Sequence, residues 1–141
     1  MITKKLSSSG LRQTFQRRKI LEFLISTDSH PTAGAIYKKI VKDIPTVSRT
    51  TVYNTVNKLA EEGIIKCIKT KDSQMRFDAK TEPHYHFVCS KCGKIYDIGV
   101  CCKNVLNYDV GGHKIEDVFI CYSGVCKACG ELACKCGKKK G

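Results

Sequence analysis

Two Cys-x-x-Cys-Gly turns, Cys89-x-x-Cys92-Gly93 and Cys126-x-x-Cys129-Gly130, stand in the second half of this 141-residue chain, with 33 residues between Cys92 and Cys126. Each turn converges two thiolates, and its backbone amides can hydrogen-bond the sulfurs, so the pair supplies a closed tetrahedral Zn(II) site. A closed site leaves no position for a substrate, so the zinc is read as structural. The first turn belongs to the string HYHFVCSKCG, residues 84–93, which also carries His84 and His86. Imidazoles two residues apart point to the same side of an extended strand. Two different metals are therefore implied side by side.

The chain is long enough for one modest domain or two small ones, and it has no run of the roughly 18 to 20 apolar residues that a membrane span needs. The opening MITKKLSSSG lacks the apolar middle of a secretory signal, so a cytoplasmic protein without a membrane partner is expected. In a reducing compartment the ten cysteines read as ligands and reduced thiols rather than as disulfides. The formal charge of +12 is uneven: residues 1–80 hold 16 Lys/Arg against 7 Asp/Glu, and the remainder 9 against 6. Four thiolates on one dication would lower the second half further, leaving the basic character to the first, where it fits a polyanion such as nucleic acid.

Periodicity predicts a helix from Phe15 with Ile20, Leu21, Leu24 and Ile25 on one face. A second follows Pro31, capped by Thr32, with Ile36, Tyr37, Ile40 and Val41 inward, and Ile44-Pro45 stops it. A third is capped by Ser48, turns Val52, Val56 and Leu59 inward, and ends at Gly63. IIKCIK, a turn at 71–73 and MRFD read as a hairpin, completing a winged helix-turn-helix. The third helix shows Thr50, Tyr53, Asn54 and Asn57 outward, with Arg49 and Thr51 in the first turn where side chains and amides can reach a phosphate. Tyr, Asn, Thr and Arg, where Lys and Glu would normally prevail, point to double-stranded DNA read in the major groove.

Residues 1–80 are thus assigned to a winged-helix DNA-binding domain, 81–83 to a hinge, 84–130 to a small α/β domain and 131–141 to a basic, Cys-containing tail. The fold class is α+β. HFVC, KIYDI and IEDVFICY read as strands, with a helix at CCKNVLNY. A domain this small needs zinc and a partner subunit to be stable. Cys67 and Cys121 are expected to be small buried residues, Cys101 and Cys102 have no assigned place, and His113 is expected in a solvated turn.

His84 and His86 need further ligands, and His30, Asp78 and Asp97 are the candidates. None uses sulfur. Imidazole and carboxylate suit Fe(II), Mn(II) or Zn(II), and the lack of thiolate favours Fe or Mn.

The strings LRQTFQRRKIL, HPTAGAIY, SRTTVYNTVNKLAEEGII, RFD, HYHFVCSKCGKIYDI and GVCKACG resemble the ferric uptake regulator superfamily from about Leu11 to Gly130, and its peroxide-sensing repressor branch most. The resemblance implies a homodimeric repressor, not an enzyme, with structural zinc at Cys89, Cys92, Cys126 and Cys129. It implies a regulatory Fe(II) or Mn(II) at His30, Asp78, His84, His86 and Asp97, the last being the branch's aspartate where iron sensors usually carry glutamate. It further implies DNA contacts from Tyr53 and from Arg12, and points to His30 or His84 as the ligand that peroxide oxidises. The sequence departs from some relatives at Tyr85 and at Asp117-Val118, so the additional metal site those relatives build is not expected.

One ion gripping all five residues would clamp the two domains and favour a geometry that sets two recognition helices on adjacent half-sites of a palindromic operator. A metal-concentration sensor on the same scaffold, a non-haem iron enzyme and a thiol sensor using Cys101, Cys102 or the tail are the alternatives.

Overall fold

The computed structural model describes residues 10–70, 73–82, 84–99, 110–115 and 118–130. The chain divides into two compact units, residues 1–82 and 83–141.

In the first unit, α1 (Phe15–Ile25), α2 (Ala33–Asp43) and α3 (Arg49–Glu61) precede a hairpin of β1 (Lys66–Lys69) and β2 (Met75–Asp78). Each helix starts at a hydroxyl. Thr14, Thr32 and Ser48 sit in extended conformation, and each side chain accepts the backbone N–H three residues on, satisfying one donor that the helix itself cannot. Helix α3 ends in a Schellman turn. Gly63 takes φ 66°, Ile64 N–H donates to Leu59 O at 2.9 Å, and Gly63 N–H to Ala60 O at 3.0 Å.

Apolar residues at helical spacing make one core. Ile20, Leu21 and Leu24 of α1, Ile36 and Ile40 of α2, and Val52, Val56 and Leu59 of α3 are buried together with Ile65 and Phe77 from the hairpin segment. Each fully buried Ile, Leu, Val or Phe is worth about 1.5–3 kcal/mol of transfer free energy, so helix packing rather than propensity holds the unit. Ile25, Tyr37 and Val41 are only partly buried at its margin. Strands β1 and β2 pair antiparallel from Lys66 opposite Asp78 to Lys69 opposite Met75. The expected turn at 71–73 falls largely outside the described residues; Ser73 itself lies at φ 60°.

In the second unit, β3 (Tyr85–Cys89), β4 (Ile95–Ile98) and β5 (Cys121–Gly124) form a sheet in the order β4-β3-β5. β4 runs antiparallel to β3, and β5 parallel to it. Parallel neighbours cannot be joined by a tight turn, and β3 and β5 are separated by residues 90–120, which include β4. The helix expected at CCKNVLNY, residues Cys101 and Cys102, and the tail from 131 to 141 with Cys134 and Cys136 lie outside the described residues, as does Pro83 of the expected hinge.

Two expectations need correction. The last strand is not the apolar run IEDVFICY but Cys121–Gly124. His86 N–H takes Ile120 O at 3.1 Å and Cys121 lies opposite His86, so pairing with β3 starts only there, whatever the propensity of the preceding residues. For the same reason Cys121 is exposed rather than buried: β5 pairs on one side only within this sheet. Cys67 is half-buried, and burial raises its thiol pKa.

Candidate metal centre

Strand β3 separates two donor sets by parity. Successive side chains of a strand point to opposite faces, so His86 faces one side, and Phe87 and Cys89 the other.

Cys89 closes β3, and the chain turns at once. Gly93, at φ 68°, donates its N–H to Cys89 O at 2.9 Å, and Gly130 donates to Cys126 O at the same distance. The two turns thus share this hydrogen bond, although residues 127–130 are helical and only Gly93 of the two glycines takes a positive φ. Cys126 N–H also donates to Cys89 Sγ at 3.3 Å. The Sγ atoms of Cys89, Cys92, Cys126 and Cys129 all lie within 4.8 Å of one another, and Cys92 and Cys126 are 3.8 Å apart. A disulfide needs about 2.05 Å, whereas thiolates about 2.3 Å from one tetrahedral zinc stand roughly 3.8 Å apart. The four sulfurs therefore fit Zn(II).

The electrostatics say the same. Backbone N–H groups, that of Cys126 first and that of Cys92 next, lower the Cys89 thiol from 9.0 to about 6. The Tyr96 hydroxyl lowers that of Cys126. Cys129 is instead pushed up to about 12, first by hydrogen bonding to Cys126 and then to Cys92. Four sulfurs this close cannot all be charged without a cation, so the metal-free cluster retains protons that a dication would displace. Tyr96, whose own hydroxyl is raised to about 12 chiefly by hydrogen bonding to Cys126, was not anticipated. Only its place one residue before Asp97 on β4, hence on the opposite face, could have signalled it.

The nitrogen and oxygen donors occur in both units. In the second unit the His84 and His86 rings lie 4.5 Å apart at 67°. Asp97 sits opposite His86 in the β3–β4 ladder, and its Oδ1 is 3.6 Å from His84 Nε2 and 3.9 Å from His86 Nε2. His86 is buried, and Phe119 stacks on its ring at 5.9 Å. In the first unit buried His30 places Nε2 3.9 Å from Oδ2 of buried Asp78, at the end of β2. His30 takes φ 48°, a left-handed conformation that costs a non-glycine residue roughly 1–2 kcal/mol.

Separations of 3.6 to 3.9 Å are too long for direct hydrogen bonds and short enough for donors that share an ion at about 2.0–2.2 Å. Imidazole and carboxylate fit Fe(II), Mn(II) or Zn(II). Tyr85 of β3 packs against Tyr122 at 6.3 Å, and His113 is exposed beside Gly111 and Gly112, both at positive φ.

On α3, Arg49, Thr50, Thr51, Tyr53, Asn54 and Asn57 are exposed. Two of them are already engaged: Thr51 Oγ1 lies 2.8 Å from Ser48 Oγ, and the Arg49 guanidinium sits 5.0 Å over the Tyr37 ring. The Tyr53 hydroxyl reaches toward Gly34 at the start of α2, 3.6 Å from where a Cβ would stand. Arg12 is exposed ahead of α1, and its carbonyl accepts from the Arg17 guanidinium.

A winged-helix unit followed by a small sheet that carries an all-sulfur cluster and nitrogen and oxygen donors defines the class of metal-responsive DNA-binding regulators. The chain belongs to the ferric uptake regulator family, which residues 8–120 match. It is 39% identical over 134 residues to the peroxide-responsive repressor PerR of Staphylococcus epidermidis, covering 89% of this chain and 86% of that protein. Its fold is similar to that of the Helicobacter pylori ferric uptake regulator Fur (TM-score 0.75, 25% identity, 92% of this chain and 89% of that one). That protein is described as having three functional metal binding sites. The Campylobacter jejuni peroxide stress regulator is also similar (TM-score 0.71, 28% identity, 92% and 96% covered). Members of the family are transcriptional regulators, which removes the non-haem iron enzyme; this chain is a metal-dependent repressor of the family, whose repressors bind DNA and act as dimers. Among the described residues no helix is long and apolar enough to cross a membrane.

Proposed function

We propose that the protein is a cytoplasmic, homodimeric, peroxide-sensing repressor of a palindromic operator. The observation that carries this reading is the split of donor chemistry by parity on β3: thiolates on one face, imidazole and carboxylate on the other. Cys89, Cys92, Cys126 and Cys129 hold structural Zn(II) and make residues 84–130 a dimerisation domain. His30 and Asp78 of the winged-helix unit, with His84, His86 and Asp97 of the second, take one regulatory Fe(II) or Mn(II). Such an ion draws ligands from both units, so the state that binds it best is favoured when it is present.

The DNA contacts are assigned to Arg49, Thr51, Tyr53 and Asn54 of α3 and to Arg12 ahead of α1. Fe(II) held by these residues would supply the redox chemistry that activates peroxide; the two-electron oxidant is the peroxide itself, which would give one oxygen atom to a ligand imidazole, His30 or His84, at a ring C–H and leave as water. An oxidised imidazole is a poorer ligand, so the grip on the ion weakens and DNA is released. The 39% identity with a peroxide-responsive repressor supports this over a simple metal-concentration sensor.

The test is anaerobic loading with Fe(II), one equivalent of peroxide, and operator binding followed by fluorescence anisotropy with mass spectrometry of tryptic peptides. Affinity is expected to fall as the peptide containing His30 or His84 gains one oxygen, and the Mn(II) form should be unaffected. Iron-loaded protein that keeps its DNA and gains no oxygen would select the concentration sensor.

A further inference from the structure

We propose that Lys80 and Asp28, exposed residues outside either donor set, form a latch that positions the His30 and Asp78 pair for the ion. The proposal rests on the reading of His30 and Asp78 as ligands given above.

Asp78 has two oxygens with different surroundings. The backbone N–H of Lys80 donates to Oδ1 at 2.8 Å, while Oδ2 is the oxygen that stands 3.9 Å from His30 Nε2. The amide orients the carboxylate so that Oδ2 is the atom offered to the metal. The same residue reaches the other member of the pair through its side chain: Lys80 Nζ lies 2.8 Å from Asp28 Oδ1, two residues before His30.

That loop needs holding, because His30 takes a left-handed backbone at φ 48°. After His30 it is tied to β2 by Phe77 N–H donating to Pro31 O at 3.0 Å and by a bridge between Thr32 and Arg76. Before His30, Ser29 N–H and its hydroxyl bond to Thr27 Oγ1, which shapes the turn without reaching β2. The Asp28–Lys80 pair ties that side of the loop to the segment just past the end of β2. One residue therefore fixes Asp78 by its amide and the His30 loop by its ammonium.

Simple charge effects predict something different, which makes the latch testable. Removing a cation beside a metal site should strengthen metal binding, and removing an anion should weaken it. A latch predicts that both losses weaken it. Asp28 and Lys80 side chains are 81% and 53% exposed, so the effect is modest: about two- to fivefold, the range of an exposed ion pair.

Mn(II) affinity of the full-length, zinc-loaded protein is measured by isothermal titration for Lys80→Ala, Asp28→Ala and the double exchange Asp28→Lys/Lys80→Asp. Lys80→Ala keeps the amide to Asp78, so it isolates the ammonium. Each single change is expected to weaken Mn(II) binding about two- to fivefold, the exchange to recover most of it, and high salt to erase the differences. Hydrogen exchange of the peptide spanning residues 26–32 should quicken in both single variants without Mn(II). Unchanged or tighter Mn(II) binding by Lys80→Ala, or unchanged exchange in that peptide, overturns the latch. His30→Ala separates the two readings: if it leaves Mn(II) affinity intact, the ligand assignment fails, while the metal-free exchange still decides whether the latch exists.

Discussion

At the scale of single residues, the cysteines differ more than their matched spacing suggests. In the metal-free protein Cys89 is held at about 6 by backbone amides and Cys129 at about 12 by neighbouring sulfurs, against an ordinary 9.0. The linkage has opposite signs. The depressed Cys89 contributes stability that is full above pH 9 and is lost as pH falls toward 6; the raised Cys129 contributes stability that is full below 9 and is lost as pH rises toward 12. Ultraviolet titration of thiolate in chelated protein should therefore extend both earlier and later than ordinary thiols do, and Cys89→Ser should shrink the early part, leaving the contribution of Cys126. Zinc should remove the early and the late part by holding all four sulfurs deprotonated. A single wave at the ordinary thiol value would refute the assignment. The grouping of Cys89 with Cys92, Cys126 with Cys129 and His84 with His86 was legible from spacing because turns and strands impose fixed geometry on neighbours, whereas His30 stands 48 residues before Asp78 and spacing could not pair them. Tyr96 and Lys80 were not legible: their partners Cys126 and Asp28 are far away in sequence, and neither type is a habitual companion of metal ligands.

At the scale of elements, local chemistry decided most of the outcome. Thr32, Ser48 and Gly63 are cap residues where sequence and backbone agree, and Gly63 offers a clean test. A Cβ there would meet nothing within 4 Å, so Gly63→Ala adds no clash and reports only the cost of an L residue at φ 66°. That cost is about 1–2 kcal/mol. Urea unfolding of zinc-loaded protein, followed by helical circular dichroism, should show this loss, with Gly63→Asn milder. Equal stability for Ala and Gly would mean that the chain re-forms the helix end another way. The fifth strand was misplaced because β propensity in IEDVFICY is local information, whereas the start of β5 is fixed by parallel pairing with β3 across a long connection. Helix ends are written in adjacent residues; parallel registers are not.

For the whole molecule, charge and metal act on one equilibrium. The basic excess lies in residues 1–80, with 16 Lys/Arg against 7 Asp/Glu, so DNA affinity should fall steeply with salt. If one regulatory ion favours the DNA-binding state, linkage requires that DNA strengthen Mn(II) binding by the same factor by which Mn(II) strengthens DNA binding, typically about 5- to 150-fold. Both arms can be measured at one salt concentration, by anisotropy with and without Mn(II) and by Mn(II) titration with and without operator. Arg49→Ala should lower the salt dependence of DNA binding by about one phosphate contact and leave Mn(II) affinity without DNA unchanged. His84→Ala should instead abolish the coupling while leaving the salt dependence intact. Coupling that survived His84→Ala would place the switch outside the nitrogen and oxygen donors, whereas loss in both arms by equal factors would tie metal occupancy and DNA binding to one transition.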